Sequence, residues 1–136
     1  MPELLNPFPV RIYWEDTDAG GVVYYANYLK FFERARTEWL RALGVEQQAL
    51  RDATGAIFVV ADAQVKYLAP AKLDDLLTVT VKMVERGLAS MVIEQQAWRG
   101  GTLLVHGRFR IGCVDALSLR PKRIPDLVSK HLFTPV

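Results

Sequence analysis

Three carboxylates (Glu15, Asp16 and Asp18) and two adjacent glycines (Gly20 and Gly21) fall within residues 15–21. They stand directly ahead of Tyr24-Tyr25-Ala26-Asn27-Tyr28, which opens a long helical pattern. A helix start presents unpaired backbone N–H groups and the positive end of the helix dipole. A carboxylate beside it can attack a carbonyl or activate water, while an N–H holds the charge that develops on the carbonyl oxygen. That is the chemistry of acyl transfer or hydrolysis. The glycines read as a turn through which backbone and substrate approach closely.

The flanking elements follow from periodicity. Val10 to Trp14 alternates apolar and polar and predicts a strand ahead of the loop. Residues 26–43 contain no Gly or Pro, and Leu29, Phe32, Ala35 or Arg36, Trp39 and Leu43 recur at helical spacing. At 3.6 residues per turn this is a helix of about five turns, with Gly44 as its stop. A short helix is expected at Glu46 to Asp52. In the next strand Ile57, Val59, Ala61, Ala63, Val65 and Tyr67 are expected on one face, with Asp62, Gln64 and Lys66 on the other. Leu77 to Met83, Met91 to Trp98 and Leu103 to Cys113 read as further strands, the last two joined by a Gly100-Gly101 hairpin. Asp126 to Leu132 reads as a terminal helix. The order is one strand, one long helix and four strands able to pair as antiparallel neighbours. A lone helix must bury its apolar stripe against that sheet, an α+β architecture.

Composition narrows the class. The chain has 136 residues, 51% hydrophobic and 24% charged, which suits a single globular domain over residues 1–136. No apolar run approaches the roughly 20 residues of a membrane span. The opening Met-Pro-Glu-Leu-Leu-Asn-Pro-Phe-Pro lacks the basic start and apolar centre of a signal peptide. Cys113 is the single cysteine, and no Cys/His ligand cluster accompanies it. A cytoplasmic setting without metal or redox cofactor is therefore expected. A net charge of +2 is too small to argue for nucleic acid as a partner, and none is expected. From Arg99 onward seven basic residues face two acids, a bias read as a solvated face rather than a phosphate site.

The loop residues 15–28, followed by Phe31-Phe32-Glu33-Arg34-Ala35-Arg36, resemble the 4-hydroxybenzoyl-CoA thioesterase family of hotdog proteins. Within it they look closest to the YbgC-like acyl-CoA thioesterases associated with the Tol-Pal system. The likeness runs on through Phe58-Val59-Val60, Tyr67-Leu68-Ala69-Pro70-Ala71, Leu73-Asp74-Asp75, Val114-Asp115 and Arg120-Pro121. It implies a hotdog fold, one long central helix wrapped by a curved antiparallel sheet of about five strands. It implies that Asp18 is the catalytic carboxylate and that the Tyr25 backbone N–H polarises the thioester carbonyl. It also implies a homo-oligomer, dimer or tetramer, with each active site at a dimer interface. Two positions depart from the YbgC pattern: Tyr25 stands where His is frequent, and Trp14 where Tyr is frequent.

The expected activity is thus hydrolysis of an acyl-CoA, or an acyl-carrier protein thioester, with CoA entering only as part of the substrate. Asp18 acts as nucleophile or as general base, and the sequence leaves both open. Gly21, Val59, Lys66, Arg86 and Ser90 are candidate substrate contacts. Asp16 and Thr17 read as turn and cap residues. Glu33 reads as an ion-pair partner, and the aromatic residues as core or interface. Two alternatives are a non-catalytic acyl-carrier or acyl-CoA binding module in envelope lipid metabolism, and a hotdog dehydratase. The dehydratase needs a histidine beside the central helix, whereas His106 lies on the polar face of the last strand and His131 in the tail. Cys113, on an apolar face, reads as a buried structural thiol.

Overall fold

The computed structural model describes residues 7–132; the opening stretch read for a signal peptide lies, up to residue 6, outside them. Strand β1 (Phe8–Arg11) leads through a 3-10 turn (Trp14–Asp16) and the Asp18 loop into helix α1 (Asn27–Ala42). Helix α2 (Gln47–Thr54) precedes β2 (Ala56–Tyr67), β3 (Leu76–Val79), β4 (Lys82–Arg86), β5 (Ser90–Arg99) and β6 (Thr102–Asp115). Helix α3 (Asp126–Leu132) follows. Gly44 (φ +89°) and Gly55 (φ +76°) end α1 and α2 in the left-handed conformation that glycine adopts readily.

The strands form one antiparallel sheet in the order β1-β3-β5-β6-β2, with β4 also pairing β5. It has six strands rather than about five, because the run expected as one strand from Leu77 to Met83 divides at Thr80. There the Thr80 hydroxyl accepts the Gln96 N–H at 3.1 Å, taking a place that a carbonyl would hold in a regular ladder. The first strand also ends earlier than expected. The Asp16 carboxylate accepts the Tyr13 N–H at 2.8 Å and turns Trp14 into the 3-10 segment.

Strand β2 carries a second correction. A bulge between Val60 and Asp62 reverses the alternation: Val59 pairs with Gly112, whereas Ala63 pairs with the buried Phe109. Phe58, Val60, Ala63, Val65 and Tyr67 therefore lie on the core face. Ile57 and Val59 share the outer face with Asp62, Gln64 and Lys66.

Helix α1 packs on the core face through Tyr28, Phe31, Phe32, Ala35 and Leu40. Leu29, expected in the stripe, is 43% exposed. Tyr28, Phe31 and Phe32 are bulkier than the residues on the Leu29 side, and their burial sets this rotation. At the helix entry the Asn27 side chain donates to the Asp16 carbonyl at 2.9 Å. The Phe32 ring meets Phe109 at 5.4 Å, and both are fully buried, each contributing roughly 1.5–3 kcal/mol. The fully buried Gln95 binds helix to sheet: its amide donates to the Phe32 carbonyl (3.0 Å), and its oxygen accepts from Arg36 (2.9 Å). The Arg36 guanidinium lies 4.9 Å from the centre of the Phe109 ring, and burial lowers its pKa.

Candidate active site

The Asp18 loop is a tight hairpin. Thr17 bridges Val23, the Asp18 N–H donates to the Val22 carbonyl (2.9 Å), and the Gly21 N–H donates to the Asp18 carbonyl (3.0 Å). Gly21 sits at φ +81°, where a side chain would be strained. The exposed Asp18 carboxylate folds back to accept the Gly20 N–H at 2.8 Å.

Backbone bonds fasten this hairpin to the sheet end. Val22 bridges Lys72, the Val23 N–H donates to the Ala71 carbonyl (2.9 Å), and the Tyr24 N–H to the Asp16 carbonyl (2.9 Å). The Lys72 segment is held in turn by Asp75, whose carboxylate accepts the Lys72 N–H (2.9 Å) and pairs with Arg99 (3.0 Å). Burial works to raise the Asp75 pKa, but these partners outweigh it and hold the carboxyl below its ordinary value.

The start of α1 has no side-chain cap. The Tyr24 carbonyl accepts the Asn27 N–H (2.9 Å), and the Ala26 carbonyl accepts the Leu29 N–H (3.1 Å). The N–H groups of Tyr25 and Ala26 find no acceptor among the described residues. Tyr25 is 60% exposed, and its carbonyl accepts the Tyr67 hydroxyl at 3.0 Å. Beside it opens a pocket of about 310 Å³ lined by Tyr25, Tyr28, Tyr67, Val23, Leu68 and Pro70. The Tyr28 hydroxyl accepts the Ala71 N–H (3.3 Å), and burial raises the pKa of that phenol. An exposed carboxylate, free N–H groups at a helix start and an apolar pocket thus share one end of the sheet.

The other candidate residues lie elsewhere. Val59, Gly112 and Ser90 form one cross-strand row on the outer face, and Arg86 pairs with Met91 near that row. Val59 stands eight positions before Tyr67 along β2, roughly 26 Å at ~3.3 Å per residue. Lys66 is level with the loop but pairs with His106 on the outer face, with the sheet between. His106 sits 3.6 Å from Glu94, which also binds Arg108. Cys113 is buried, and burial raises its pKa. Glu33 is exposed on α1. Among the described residues no group of three His, Cys, Asp or Glu is placed to hold a metal ion, and no helix is long and apolar enough to cross a membrane.

Sequence reading missed Tyr67, Asn27 and the Asp75–Arg99 pair as parts of this end of the molecule. Asn27 carried a local signal, being a side-chain donor one residue inside a helix start. Tyr67 carried none, because its contact spans 42 residues.

Comparisons with known proteins bear on the same region. A family model described as the thioesterase-like superfamily matches residues 12–132. The acyl-CoA thioesterase YbgC of Haemophilus influenzae is 47% identical over 121 residues, covering 89% of each chain. The acyl-CoA thioester hydrolase YbgC of Escherichia coli is 45% identical over 129 residues, covering 94% of this chain and 96% of its own. Among solved structures, a probable thioesterase from Bartonella henselae superposes with a TM-score of 0.82 at 35% identity, over 88% of this chain and 98% of its own. The helix packed on an antiparallel sheet is the hotdog fold of these thioesterases. The chain belongs to the thioesterase-like superfamily and, within it, to the YbgC acyl-CoA thioesterases.

Proposed function

We propose that this protein is an enzyme that hydrolyses acyl-CoA thioesters at the junction of the Asp18 loop and α1. One observation carries the reading: the Tyr25 N–H, at an uncapped helix start, finds no acceptor among the described residues and lies within one hairpin of an exposed carboxylate. The acyl carbonyl oxygen binds that N–H, which stabilises the oxyanion formed on attack. As nucleophile, Asp18 forms an acyl-aspartyl anhydride and expels the CoA thiolate; water then releases the acid. As general base, it takes a proton from water, hydroxide adds to the carbonyl, and the C–S bond breaks to acid and CoA. Neither route calls on a group beyond carboxylate, water and N–H.

The wider reading is of a single cytoplasmic domain that works as a dimer or tetramer. Strand β2 supports this: it ends the sheet, and Val60 and Tyr67 on its core face are 50% and 45% exposed. A second copy on that edge would cover them and bring new residues to the loop. The Val59, Lys66, Arg86 and Ser90 contacts, which one chain does not gather at the loop, then belong to CoA crossing between subunits.

Thiol release measured over short, long and aromatic acyl-CoAs and an acyl-carrier protein thioester tests the proposal. The expected result is turnover of at least one substrate and loss of nearly all of it in Asp18→Asn. Full activity in that variant refutes the role of Asp18. Tight binding without turnover favours a binding module instead.

A further inference from the structure

We propose that Tyr67 is a positioning residue for this reaction: its hydroxyl holds the Tyr25 carbonyl and so orients the helix-start N–H toward the acyl oxygen. The inference rests on the proposed role of the Tyr25 N–H.

Tyr25 is 60% exposed and outside the hydrogen-bond ladder of α1. Two bonds bracket it. The peptide that carries its N–H is held at the Tyr24 carbonyl by the Asn27 N–H (2.9 Å). The following peptide is held at the Tyr25 carbonyl by the Tyr67 hydroxyl (3.0 Å), which is its sole partner among the described residues. Without the second bond, the Tyr25 carbonyl has no hydrogen bond among the described residues, and the chain about Tyr25 keeps the first bond and its ring contacts with Tyr24 and Tyr67.

The anchor itself is rigid. Tyr67 is the last residue of β2, and the next two N–H groups, of Leu68 and Ala69, both donate to the Leu104 carbonyl (2.8 and 3.1 Å). Its ring meets Tyr28 at 5.7 Å and Tyr25 at 6.1 Å, edge to face in both cases. Burial and the neighbouring Tyr25 raise its pKa, so the phenol keeps the proton it donates. A single hydrogen bond of this kind adds only about 1 kcal/mol to folding, whereas holding one oxyanion donor in place acts directly on the rate.

Tyr67→Phe deletes the hydroxyl and keeps the ring. Its kinetics are measured with whichever of butyryl-, palmitoyl- and benzoyl-CoA the wild-type enzyme turns over fastest, beside melting curves and gel filtration. A net hydrogen-bond contribution expressed in the transition state predicts a kcat lower by roughly three- to tenfold, with KM within about twofold. Melting temperature and oligomeric state are expected to match wild type. Tyr67→Leu, which also removes the ring, is expected to lose at least as much kcat. An unchanged kcat overturns the inference. So does a raised KM at constant kcat, which makes Tyr67 a substrate contact, or a kcat loss that tracks a fall in melting temperature. Asp18→Asn is assayed in parallel: if it is fully active the parent mechanism fails, whereas an inactive Asp18→Asn beside a normal Tyr67→Phe removes Tyr67 alone.

Discussion

Gly20 and Gly21 are adjacent, yet replacing each with alanine is expected to fail for a different reason. A Cβ at Gly21 meets nothing within 4 Å, so space is no obstacle; the obstacle is φ +81°. An L-residue in the left-handed region is disfavoured by about 1–2 kcal/mol, and in a chain of this size about 1 kcal/mol shifts Tm by about 4 °C. Gly21→Ala should therefore lower Tm by about 4–8 °C. Gly20 has no such backbone demand, but its added Cβ would lie 3.2 Å from Asp18 Oδ1. The carboxylate is exposed and can give way by a few tenths of an ångström, so Tm should stay within about 2 °C of wild type. The displacement weakens the Gly20 N–H bond to Oδ1 and moves the oxygen proposed to react. Since a misplacement of about 1 Å can cost about 100-fold in rate, a shift of a third to a half of that predicts a kcat lower by roughly five- to tenfold. Thiol-release kinetics and melting curves on both variants decide the matter. If Gly20→Ala melts as low as Gly21→Ala and keeps its kcat, the geometry derived for Asp18 is wrong.

Two further outcomes follow from the polar contacts. Gln95→Leu leaves the Arg36 guanidinium without its acceptor in a buried site, and should destabilise the fold by about 2–4 kcal/mol in urea titration; a change below about 0.5 kcal/mol would show that Phe109 and solvent suffice. The Asp75 pKa is lowered on folding, so its ionised form adds stability above the unfolded value of about 3.9, and that stability is lost as pH falls through the folded pKa. Asp75→Asn should thus melt below wild type at pH 7, with the gap closing below about pH 4; a gap independent of pH refutes the assignment.

Much of the architecture was legible because it rests on local rules. The helix of residues 26–43 appears as Asn27–Ala42, and the expected terminal helix as Asp126–Leu132. The Gly100-Gly101 turn joins β5 to β6, with Gly100 at φ +56°. Each depends on backbone propensity, side-chain period and a stop or start signal within a few residues: Gly44 after the long helix, Pro125 before the terminal one, and Gly100 in the turn. The loop at residues 15–28 was legible for another reason: its residue types and order mark the family, and the structure adds how they are tied.

Long-range pairing decided the rest. Strict alternation placed Val59 on the core face, but one extra residue in β2 against β6 moved it outward. The side of α1 that faces the core is the bulkier stripe through Tyr28, Phe31, Phe32 and Ala35 rather than the one through Leu29, so Tyr28 is buried and Leu29 exposed. The candidates spread along β2, β4 and β5 separated, because strands extend by about 3.3 Å per residue and faces alternate. Composition and order alone determined a helix on an antiparallel sheet and an acidic, glycine-containing loop at the helix start. Only the tertiary structure brought Tyr67 to the Tyr25 carbonyl, a contact 42 residues apart that no local period encodes.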